Sequence, residues 1–75
     1  MITTGALVQY KTDISVLAEI VHTYNKMDVD PDCNESVAII SMVKIIYLTG
    51  PEQGNKRSMR RRNFTHFWKV INNDS

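Results

Sequence analysis

The sequence predicts an all-α fold: one small domain of three helices, with a helical hairpin as its core and a dimer as its assembly. Three observations carry that expectation. Apolar residues recur at alternating three- and four-residue intervals near the N-terminus, Pro and Gly fall where helices start and stop, and a basic run leads into aromatics at helical spacing.

Leu7, Tyr10, Ile14, Leu17, Val21 and Tyr24 form the spaced series. It is an a/d seam, and it predicts an amphipathic helix near residues 5–26. Thr4 is a suitable N-cap, while a start at Thr12 or Asp13 would leave residues 1–11 as a loose arm. Val16, Ala18 and Ile20 widen the apolar face beyond a strict seam.

The stretch "MDVDPDCNES" (27–36) breaks the pattern. Asp30 and Pro31 read as N-cap and first helical residue, and Asp32 with Glu35 offers an alternative capping box. Either start predicts a second helix over 31–48, ended by Gly50 and Pro51. Only Ser41 and Lys44 interrupt its apolar surface. Such a helix is central or covered by a partner, which is the reason to expect a homodimer. Ile39, Val43 and Ile46 are its expected core and dimer residues, beside Leu7, Tyr10, Ile14, Leu17 and Val21 of the first seam.

After the loop "TGPEQGN" (49–55), Asn55 or Ser58 would cap a third helix over 56–72. Phe64, Phe67, Trp68 and Ile71 share one face of it, following Met59, and the first three are expected core residues.

Bulk properties bound the function. Seventy-five residues make one marginal domain, spanning 1–75. Cys33 is the sole cysteine, so no internal disulfide forms, and the expected setting is soluble and cytoplasmic. The longest apolar run, "VAIISMVKIIYL", is 12 residues, whereas a membrane-spanning helix needs about twenty. The start "MITTGALVQYKTD" lacks the basic and apolar blocks of a secretory signal.

No residue set predicts catalysis. Asp28, Asp30 and Asp32 fit the first ligand positions of a calcium loop, but Cys33 stands where its turn glycine belongs and Ile39 where its bidentate glutamate belongs. Helix capping explains the acids better. His22, Cys33 and His66 lack the paired spacing of a zinc site and define no nucleophile with its base. A non-enzymatic protein is expected, with no cofactor, no metal and no small-molecule substrate.

Charge carries the functional signal. The net charge is +1, yet residues 1–54 hold a net −4 and residues 55–75 a net +5. Lys56, Arg57, Arg60, Arg61 and Arg62 would crowd the first turns of the third helix, where its dipole disfavours cations by about 0.3–1 kcal/mol each. On a helix Arg57 and Arg61 share one stripe and Lys56 and Arg60 the next. With Lys69 they form the expected binding surface for an external anion. Nucleic-acid phosphate is the first candidate and an acidic protein surface the second. The 48–55 connection is longer than a helix-turn-helix turn.

"ES" (35–36), Val43, Leu48, Gly50 and "NK" (55–56), with "VLA" (16–18) upstream, resemble the small bacterial AriR/YmgB regulators over about half the chain. The resemblance implies short helical proteins that dimerise through an antiparallel helix pair. It further implies a regulatory connector in biofilm and acid-resistance control, with DNA binding in some members. The combined expectation is a small regulatory homodimer that contacts nucleic acid through its basic helix. The alternative is a protein-binding connector or inhibitor that never touches nucleic acid.

Overall fold

The computed structural model describes residues 2–29 and 37–72, and it overturns the helical expectation. The chain forms β1 (Leu7–Tyr10), β2 (Asp13–Val29), β3 (Val37–Tyr47), β4 (Lys56–Arg60), one short helix α1 (Arg61–Phe67) and β5 (Trp68–Asn72). The five strands make one antiparallel sheet in the order β4-β3-β2-β1-β5. Thus none of the helices expected near 5–26, 31–48 and 56–72 forms, and α1 occupies only part of the third. The Asp30–Pro31 start, the Asp32/Glu35 box and Cys33 lie outside the described residues.

Strand physics accounts for the difference. In β3, Val37, Ile39, Ile40, Val43, Ile45 and Ile46 are β-branched, and such side chains lose rotamer freedom in a helix while packing well on a pleated surface. β3 sits between two strands and carries apolar residues on both faces, so it reads as an apolar run broken only by Ser41 and Lys44. The three-four spacing of the first seam is broken by the tight turn at Lys11–Thr12, which joins two paired strands. Tyr10 therefore faces Asp13 across a hairpin.

A flat sheet would hold β4 and β5 about 19 Å apart, four strand spacings. The seven residues of α1 that join them advance only about 10 Å. The sheet must therefore curl, and an irregularity at Val21, between the pairs Ile20–Ile45 and His22–Lys44, supplies a bend. Phe64 from α1 plugs the concave side, fully buried against a core of Ala6, Val8, Ala18, Ile20, Val43, Ile45, Tyr47 and Trp68.

The expected core is therefore redistributed. Val43, Phe64 and Trp68 are buried, Leu7, Leu17, Val21 and Ile46 are half-buried, and Ile14 and Ile39 are 74 % and 72 % exposed. Phe67 is exposed as well. Beyond Tyr24 and Met42 the β2–β3 pair outruns β1 and β4 and continues as a two-stranded ribbon. Its length shows in the 43 Å long axis of the molecule. Met27 and Ile39 oppose each other on that ribbon, both largely exposed.

The loop between β3 and β4 is built to hold the curl. Thr49 Oγ1 donates to the Ser15 carbonyl at 2.6 Å and accepts from the Leu17 amide at 2.8 Å, pinning the loop to β2. Gly50 has φ +90°, and a Cβ there would meet Val16 Cγ2 at 3.3 Å. Its glycine serves both backbone and packing. Among the described residues no helix is long and apolar enough to cross a membrane.

Candidate nucleic-acid interface

The basic run survives as an exposed cluster, though not on a helix face. Lys56, Arg57 and Arg60 lie on β4, an edge strand, while Arg61 and Arg62 open α1. All five are exposed. Strand alternation sends Arg57 and Met59 to the core side and Lys56, Ser58 and Arg60 to the outer side. The stripe expected for Arg57 with Arg61 does not form, because the chain changes from strand to helix between them. Arg61 lines a separate recess with Ile2, Tyr24 and Met42.

Lys69 lies on a different strand from the cluster. It lies on β5 at the far end of the strand order, paired with Gln9. Sequence proximity to the arginines does not bring it to their edge.

Charge pairing leaves the cluster open. Among the described residues, Lys56, Arg60, Arg61 and Arg62 have neither an ion pair nor a hydrogen bond from the side chain. Arg57 differs, because its guanidinium lies beside the Tyr47 side chain, with which it lines the same recess. That contact, more than the nearby Glu52, pushes the Arg57 pKa above its usual value, so Arg57 is a permanent cation.

Arg57 also floors a groove. One cleft of about 300 Å³ is lined by Tyr10, Tyr47, Arg57, Met59, Asn63, Phe67 and Trp68. It runs into a neighbouring recess where Asp13, Val16, Pro51 and Glu52 join Tyr10, Tyr47 and Arg57. The acids there are already engaged: Asp13 Oδ1 accepts from the Ser15 hydroxyl and amide, and Glu52 Oε2 accepts from the Asn55 amide group.

No family model, curated protein or solved structure matches this chain. The helical fold that the AriR/YmgB resemblance implies is not the fold found.

The aromatic part of the groove is set by the hairpin turn. Lys11 donates its amide to the Phe67 carbonyl at 2.9 Å and its ammonium to the Thr65 carbonyl at 2.8 Å. This clamps the end of α1 over the end of β1. Tyr10 and Phe67 consequently lie nearly parallel, at 13° with centroids 6.4 Å apart. Tyr10 also meets Trp68 edge to face at 5.1 Å. Sequence reasoning assigned Tyr10 and Phe67 to a helical core. Their place beside an arginine was hidden by the 57-residue separation that only the β1–β5 pairing closes.

Among the described residues no group of His, Cys, Asp and Glu is arranged to hold a metal ion.

Proposed function

We propose that this protein acts by binding, and that it contacts nucleic acid through the cationic edge formed by β4 and the start of α1. The observation that carries the reading is that Lys56, Arg60, Arg61 and Arg62, four cations within seven residues, have no ion pair or side-chain hydrogen bond among the described residues. An edge strand gains some protection from cations alone, since they discourage pairing with another chain. The arginines, however, continue past the end of that strand into α1. Guanidinium forks match phosphate oxygens, and clustered cations gain affinity by releasing counterions. The role fitting this reading is that of a small non-enzymatic regulator in a reducing cytoplasm, consistent with the lone Cys33.

A protein partner, or a second copy of the chain, is the other reading. It draws support from Met27 and Ile39, which oppose each other with 73 % and 72 % of their surface exposed on the ribbon. The all-round apolar helix that first suggested a dimer is absent.

Fluorescence anisotropy against a labelled oligonucleotide at several salt concentrations separates the two. The nucleic-acid reading expects log K to fall linearly with log salt. Arg60→Gln and Arg62→Gln should each reduce that slope by up to about one unit without altering the melting temperature. Absence of binding at low salt would leave the protein-partner reading in place.

A further inference from the structure

We infer that the ligand is a single strand rather than a duplex, with unpaired bases received in the cleft against the rings of Tyr10 and Phe67. This rests on the nucleic-acid reading above and adds the form of nucleic acid that the site takes.

The aromatic cleft and the cationic edge adjoin along β4: Arg57 lines the cleft, while Lys56 and Arg60 stand on the other side of the same strand. Arg57 and Met59 carry the inner side of β4 into the cleft, and Asn63 from α1 lines it beside Phe67. A duplex presents phosphates outward and keeps its bases stacked within, so it could use the cations but not the ring faces. A single strand can use both, and base stacking on aromatic rings tolerates any sequence because every base has a π-face.

Three features fit the rings to that use. Phe67 keeps 43 % of its surface exposed, although a ring of its size gains by burial. Tyr10, half-buried, offers a second ring within 13° of parallel to it, so one planar group can meet both in the same orientation. The clamp from Lys11 fixes Phe67 before any ligand arrives, which limits the ordering that binding requires. Asn63 supplies an amide with donors and an acceptor for a base edge, and Arg57 a fixed cation within the cleft for the adjoining phosphate.

Charge sets the direction. Asp13 and Glu52 stand where the groove passes from Tyr47 toward Pro51. Ser15 holds Asp13 anionic by lowering its pKa. A polyanion is repelled from that end, so the strand should run from Arg57 toward Asn63, Arg62 and Arg60.

The test compares a short strand of non-self-complementary sequence with the duplex it forms with its complement, using anisotropy with the full chain. The strand should bind at least about tenfold more tightly than the duplex. Phe67→Ala should weaken strand binding about five- to hundred-fold and leave duplex binding and the salt slope unchanged. Phe67→Tyr, which keeps the ring, should retain strand binding. Arg60→Gln should lower the salt slope for both forms. Thermal melts establish that each variant is folded. Equal affinity for strand and duplex, or strand binding by Phe67→Ala that equals the wild type, overturns the single-strand inference while the nucleic-acid reading stands. Absence of binding to either form overturns both.

Discussion

Truncating two isoleucines tells a sheet from a helix at this sequence. Ile45 has no exposed surface and faces the core near the end of β3, whereas Ile14 is 74 % exposed at the start of β2. Ile45→Ala removes buried methyl groups and leaves a cavity, at a cost of about 2–5 kcal/mol. Total stability for a chain of this length is about 4–11 kcal/mol, at roughly 0.05–0.15 kcal/mol per residue. The variant should therefore lose a large part of its stability, with a fall in melting temperature of about 12–24 °C from a loss near 3 kcal/mol. Ile14→Ala creates no cavity and should stay within about 0.5 kcal/mol of the wild type. On the heptad seam Ile14 would be a core position and would cost as much as Ile45. Urea denaturation followed by circular dichroism measures both variants at once. An Ile14→Ala loss comparable to that of Ile45→Ala would refute the sheet register.

Other perturbations test the local chemistry. Gly50→Ala places a side chain at φ +90° against Val16 and should cost about 1–2 kcal/mol; Gly54→Ala, at φ +88° with open space around it, should cost less, and paired denaturation curves read the difference. Thr49→Val removes the acceptor for the Leu17 amide and the donor to the Ser15 carbonyl, so it should destabilise by about 1–3 kcal/mol in the same assay. Asp13 titrates below the ordinary aspartate range because Ser15 donates to its carboxylate; Ser15→Ala should move that titration upward, as seen by side-chain NMR. Since the folded pKa is the lowered one, the Asp13 contribution is present above the unfolded value and fades as pH falls through the folded one.

How far the sequence discloses this molecule varies along the chain. The break at 49–55 is legible, because Gly50, Pro51 and Gly54 punctuate it whichever element precedes them. The exposed arginine cluster is legible as well, since it depends on composition more than on fold. Element type is not. Leu7 and Leu17 fit a helical seam, yet they lie on adjacent strands β1 and β2 with a tight turn between them. In β3 the inward Val43, Ile45 and Tyr47 alternate with the apolar Met42 and Ile46, which erases the period-two signal. The density of β-branched residues in β3 was the available counter-signal. The cleft depends on pairings between distant segments, Tyr10 with Trp68 above all, and no local pattern announces those.

The proposed nucleic-acid interface runs along the β4–α1 edge, with bases in the cleft. Backbone amide NMR shifts recorded while a short single strand is added test that claim most directly. Perturbations should concentrate at Tyr10, Arg57, Met59, Arg60 to Asn63 and Phe67, with little change at Met27, Ile39 and Lys69. Shifts confined to the ribbon around Met27 and Ile39, or to the β5 edge around Lys69, would contradict it.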